Sequence, residues 1–138
     1  MEGLNRYEER RHHPRFSVQL PLDYWETPEV VRGGIVADIS ATGLRIHSVY
    51  TLQTGADLEI RVYVSKEEYT FGSIEGRGKI IWRTLHREGA WKGYACGLYL
   101  TEMALEDRER LKQILTHQRE DHEDLITNGT RPPVRRGM

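Results

Sequence analysis

A cluster of arginines stands near the start of this chain. The run Arg10-Arg11-His12-His13-Pro14-Arg15 puts three guanidinium groups within six residues. Arg11 and Arg15 stand four apart, but Pro14 lacks a backbone N–H and pushes His13 towards an extended conformation, so no continuous helix is expected here. On a bendable arm, such groups can converge on one ligand. Each is a planar fork of donors suited to phosphate oxygens, to the O6/N7 edge of guanine, or to stacking on a base. Taken alone, a basic run of this kind is more often a solvated tail.

A second stretch changes the balance. Asp38-Ile39-Ser40-Ala41-Thr42-Gly43 carries an acceptor, a hydroxyl and a glycine that permits a tight turn or close backbone approach. Two strand-like segments, 16–26 and 30–39, separate it from the arginines and are joined at Thr27-Pro28. A hairpin centred there pairs positions that sum to about 55, which sets Arg15 opposite Ser40. A bulge at Gly33-Gly34 would shift that register by one and leave the two stretches neighbours.

Arg11-x-x-x-Arg15, followed by Asp38-x-Ser40-x-x-Gly43 opening a strand, resembles the PilZ domain, a bacterial receptor module for cyclic di-GMP. The resemblance covers roughly residues 6–115. It implies that Arg11 and Arg15 bind phosphate and the guanine O6/N7 edge. Asp38 and Ser40 would hydrogen-bond guanine or phosphate, and Gly43 would permit the turn into the next strand. Arg10 would stack on or pair with another guanine, an arrangement suited to an intercalated ligand dimer. The segment Cys96-Gly97-Leu98-Tyr99-Leu100 resembles the family's later glycine-containing strand, although Phe is commoner near its end than Tyr99 or Leu100.

The elements that must position these groups are mostly strands. Phe16, Val18, Leu20 and Leu22 alternate with Ser17, Gln19 and Pro21, the pattern of a half-buried strand, and Pro21 marks an edge or a bulge. Leu44 and Ile46 point inward from a strand over 43–47, and Leu58, Ile60, Val62 and Val64 alternate most clearly. Residues 69–74 read as a short, weak strand. A second hairpin joins 76–85 to 90–100 through His86-Arg87-Glu88-Gly89 and brings Trp82 close to Tyr94. Thereafter the period changes: Leu111, Ile114 and Leu115 follow helical spacing, predicting a helix over 105–121 that could reach 126. Successive strands without intervening helices predict a β-dominated fold, a six-stranded antiparallel β-barrel with a C-terminal α-helix. Residues 1–9 read as a mobile arm, 10–126 as the barrel domain with its helix, and 127–138 as a disordered tail.

Composition bounds the function. A chain of 138 residues with 38% hydrophobic and 30% charged residues suits one soluble domain with a modest core. Its net charge of −1 gives no global field to recruit nucleic acid or anionic membrane, so any anion site must be local. The single cysteine, Cys96, lies in an apolar segment and reads as a buried core thiol. No stretch has the length of a membrane span or the pattern of a signal peptide, which makes the cytoplasm the default compartment. No catalytic or metal constellation stands out: His12-His13 lacks a second ligand pair, Glu8-Glu9 and Glu67-Glu68 read as solvating charge, and Gly76-Arg77-Gly78 is too short to cradle phosphate.

The expectation is therefore a non-catalytic cyclic di-GMP receptor without cofactor or metal. The resemblance implies that it acts through a protein effector on motility, surface polysaccharide or biofilm, and a homodimer stays open. Two alternatives remain: a ligand-independent interaction module of the same fold, and a nucleic-acid-binding barrel, which the net acidity disfavours.

Overall fold

Alternating side chains build six strands: β1 (Phe16–Trp25), β2 (Arg32–Ile39), β3 (Gly43–Ser48), β4 (Asp57–Tyr63), β5 (Ser73–Glu88) and β6 (Trp91–Glu102). A helix, α1 (Leu105–Thr127), follows. This computed structural model describes the backbone of residues 14–127 and the side chains of residues 14–120. The arm 1–9, the residues Arg10 to His13 and the tail from 128 onward lie outside the described residues.

All strand pairs are antiparallel, and the ring order β1-β2-β3-β6-β5-β4 closes where β4 returns to β1. Inward-facing Leu22, Tyr24, Val36, Ile39, Ile46, Leu58, Ile60, Val62, Ile80 and Leu98 fill the barrel. Cys96 is fully buried among them, and burial pushes its thiol pKa up. Tyr24, a phenol deep in this core, shares a hydrogen bond with the buried Ser48 hydroxyl, which is bonded in turn to both backbone groups of Tyr50.

The helix closes the barrel with the expected stripe. Leu111 and Ile114 are buried against the core, and α1 packs on β5 and β1. Its first turn is acidic, which complements the helix dipole, and Asp107 also accepts the Glu75 backbone N–H of β5 at 3.1 Å.

Two expectations need correction. Residues 69–74 do not form a separate strand: Ser73 and Ile74 open the long β5, while Tyr69 and Phe71 lie in the loop before it and pack on the core. Trp82 does not face Tyr94. The β5–β6 turn is the two-residue Gly89-Ala90, with Gly89 at φ 61°, so Glu88 pairs with Trp91, Leu85 with Tyr94 and Trp82 with Gly97.

Bulges decide which way key side chains point. Both ladders of β2 slip at Ala37. Against β3 it is an extra residue, since Val36 pairs with Ile46 but Asp38 with Arg45. Against β1 the extra residue belongs to β1, where Val18 and Gln19 stand opposite Ala37 between the pairs Ser17–Asp38 and Leu20–Val36. Val36 and Ala37 are both buried, so the alternation slips by one and Asp38 turns outward instead of into the core. The expected one-residue shift in the β1–β2 register exists, but it lies at Val18-Gln19 opposite Ala37 and not at Gly33-Gly34, which pair regularly with Asp23 and Leu22. In β5 the extra residue is Ile81, which is exposed, and Trp82 after it lies over Gly97 on the outer face.

Candidate functional site

The end of the barrel where β1 begins and β2 ends sets Arg15 of the first motif beside the Asp38–Gly43 turn. Phe16 pairs with Ile39, so Arg15 and Ser40 continue the same ladder from either side, as the sum-of-55 register predicts. Arg15 is exposed there, directly before β1. Arg10 and Arg11 lie outside the described residues.

The turn from β2 to β3 is built by its own side chains. Ser40 is 7% exposed, and its hydroxyl accepts the Thr42 and Gly43 backbone N–H groups at 3.3 and 3.2 Å while donating to the Gly43 carbonyl at 3.2 Å. The Ser40 N–H also donates to the Gly43 carbonyl, and the Leu100 N–H to the Thr42 carbonyl, which ties the turn to β6. Gly43 sits where β6 comes closest: a β-carbon there would stand 2.5 Å from the Leu98 carbonyl oxygen. In this arrangement Ser40 and Gly43 shape the turn, and the Ser40 hydroxyl is occupied within it.

Asp38 is the outward acceptor of the set. Its Oδ2 forms an ion pair with Arg45, 2.8 Å from Nε, although that buried Nε–H is not aligned for a hydrogen bond, and Oδ1 accepts the Ser17 hydroxyl at a long 3.5 Å. Arg45 was not singled out from sequence. The available signal was its place two residues after Gly43, outward-facing on the strand that the motif opens. Two residues further on, His47 stacks with His86 at 4.4 Å between ring centroids, and its pKa is lowered by burial, then by His86 and Arg45.

Beside the turn lies a cleft of about 310 Å³ between Pro14 and Phe16, Ala41 of the turn, and Lys112, Leu115, Thr116 and Arg119 of α1. Positions 112, 115, 116 and 119 share one helix face. The apolar floor of Pro14, Phe16 and Leu115 and the cationic side chains of Lys112 and Arg119 suit a flat, anionic ligand. Lys112 and Arg119 were also missed from sequence, because nothing in a helical pattern says which loop its polar positions will face. Among the described residues, no group of three or more His, Cys, Asp or Glu is disposed to hold a metal ion, and no helix is long and apolar enough to cross a membrane.

Fold and cleft together define the class: a small closed barrel with a cation-bearing cleft at one rim, flanked by an arginine and an Asp-Ser-Gly turn. A family model described as the PilZ domain matches residues 9–117, and the chain belongs to that family. Among solved structures it is similar to the PilZ domain with c-di-GMP of YcgR from Escherichia coli, at 13% identity and a TM-score of 0.68 over 88% of this chain and 99% of that one. It is also similar to the inhibitor of motility MotI/DgrA of Bacillus subtilis, at 19% identity and a TM-score of 0.64 over 81% of this chain and 52% of that one. The MrkH–c-di-GMP complex of K. pneumonia gives 19% identity and a TM-score of 0.64 over 89% and 54%. The chain thus spans about half the length of MotI/DgrA and MrkH, and at these identities the likeness concerns the fold. No curated protein sequence matches it.

Proposed function

We propose that the chain is a non-catalytic receptor for cyclic di-GMP, with Arg10, Arg11, Arg15, Asp38, Ser40 and Gly43 as its binding set. The observation that carries this reading is the register Phe16–Ile39, which joins Arg15 to the Asp38–Gly43 turn in a chain of the PilZ family. Cyclic di-GMP has two phosphates and two guanines. It calls for cationic forks together with acceptors at the base edge, and both stand at this rim. Arg11 and Arg15 take phosphate and guanine edges, Asp38 takes guanine, and Ser40 and Gly43 act by holding the turn. Arg10 takes a second ligand molecule, and replacing it with Leu is expected to remove that molecule while leaving the first.

Ligand binding then draws the arm 1–14 onto the barrel. The arm has too few apolar residues to bury surface unaided, and its arginines repel one another until the dianion neutralises them. The composite of arm and barrel is a surface that a protein effector can recognise only in the bound state. The structures similar to this chain include an inhibitor of motility, which favours an effector in motility or surface behaviour.

One titration separates the readings. Calorimetry with cyclic di-GMP, GTP and short oligonucleotides should give binding for cyclic di-GMP alone. Preference for oligonucleotides would favour the nucleic-acid-binding barrel, and no binding would favour a ligand-independent interaction module. Ligand-induced amide-exchange protection at residues 6–15 and 36–45, with little change beyond residue 105, is the expected sign of the arm's closure. Equal protection with and without ligand would place the switch elsewhere.

A further inference from the structure

We infer that Arg45, held in place by Asp38, is the residue that selects guanine over adenine at this site. The inference rests on the proposed cyclic dinucleotide reading and adds a residue outside its motifs.

The geometry is that of a buttressed fork. The bulge at Ala37 turns Asp38 to the outer face, directly across the β2–β3 ladder from Arg45. Asp38 Oδ2 engages the Arg45 Nε at 2.8 Å. The Nε edge of the guanidinium is buried against Asp38, while the Arg45 side chain as a whole is 38% exposed. Asp38 keeps Oδ1 for a second partner, since its contact with the Ser17 hydroxyl is long at 3.5 Å. Across the next ladder Arg45 pairs with Gly97, and the Trp82 indole of β5 lies over that glycine, so an aromatic face borders the ion pair on the side of β6. The ion pair adjoins the rim where Arg15 enters β1.

The pair therefore offers donors and an acceptor side by side. The Watson–Crick edge of guanine presents the O6 acceptor next to the N1–H and N2–H donors, and it is complementary to an arginine fork beside a carboxylate oxygen. Adenine presents an amino donor next to the N1 acceptor. It would set donor against guanidinium and acceptor against carboxylate, leaving charged groups unpaired. A phosphate-only role would need the charge of Arg45 but not the carboxylate beside it. In this scheme Asp38 both contacts the base and positions Arg45.

The test is the affinity ratio between cyclic di-GMP and cyclic di-AMP, measured by calorimetry or competition on the full chain, for wild type, Arg45→Lys and Arg45→Gln. Arg45→Lys keeps the charge and can still pair with Asp38, but it lacks the fork, so it tests selectivity without stripping the site of charge. Thermal unfolding without ligand checks that each variant is folded. The wild type should prefer the guanine ligand. Both variants should weaken cyclic di-GMP roughly tenfold or more while leaving cyclic di-AMP nearly unchanged, so that the ratio falls. Equal losses for both ligands would make Arg45 a phosphate or scaffold residue and overturn the inference. So would a wild type that binds cyclic di-GMP without discriminating. A wild type that does not bind cyclic di-GMP at all would overturn the proposed function itself.

Discussion

Gly43 and Leu98 meet backbone to backbone: a β-carbon on Gly43 would lie 2.5 Å from the Leu98 carbonyl oxygen, closer than van der Waals contact allows. The glycine of the binding motif is thus required by the packing of β3 against β6, before any ligand is considered. Gly43→Ala should destabilise the ligand-free protein by about 1–3 kcal/mol, as overpacking does elsewhere. Urea unfolding without ligand measures this. An unchanged midpoint would show that β3 and β6 can separate freely and that the glycine matters only for the ligand.

Ser40 makes a parallel case. Its hydroxyl accepts two backbone N–H groups inside the turn and is nearly buried. Ser40→Ala leaves those donors unsatisfied, at a cost of about 1–3 kcal/mol. The same unfolding experiment should therefore register the change without ligand. A variant as stable as wild type, yet impaired in cyclic di-GMP binding, would instead return Ser40 to direct ligand contact.

The His47–His86 stack gives a pH dependence. In the folded state the His47 pKa lies below its usual 6.5, chiefly through burial and then through His86 and Arg45, with Glu88 and Asp38 opposing. The unfolded chain therefore binds that proton first as pH falls below 6.5. Stability should be full above this value, fall as pH drops through the window below it, and level off once the folded protein is protonated too. Comparing urea midpoints at neutral and mildly acid pH for wild type and His47→Gln isolates the contribution. The variant should lose part of the slope, and an identical slope would remove His47 from the account.

The arrangement of strands was legible because period-two patterns are long and their turns carry glycine or proline. Leu44 and Ile46 inside β3, Leu58 to Val62 inside β4, and Leu111 and Ile114 beneath α1 all lie where their spacing puts them. The rim pair Phe16–Ile39 has the sum of 55 expected from the Thr27-Pro28 turn, but the pairs nearer the turn sum to 56, and the slip opposite Ala37 takes up the difference. What escaped were single-residue slips. Trp82 was set against Tyr94 because the loop was centred on Arg87–Gly89, whereas the positive φ of Gly89 puts the turn at Gly89-Ala90 and moves the pairing along. The bulge at Ala37 left a faint mark, two adjacent apolar residues before Asp38, and the glycine pair was the more conspicuous candidate. Arg45 was marked only by its place two residues after Gly43, and Lys112 and Arg119 could not be assigned to the cleft from spacing, since that depends on which elements the barrel sets side by side.

The central claim is that an arginine at the entry to β1 and the Asp38–Gly43 turn hold cyclic di-GMP between them. Calorimetric titration of wild type and Arg15→Ala with cyclic di-GMP tests it most directly. A charge-assisted hydrogen bond is worth about 1.5–3 kcal/mol, so the variant should bind roughly tenfold to a hundredfold or more weaker while unfolding at the same midpoint. Equal affinity in the two proteins would contradict the account.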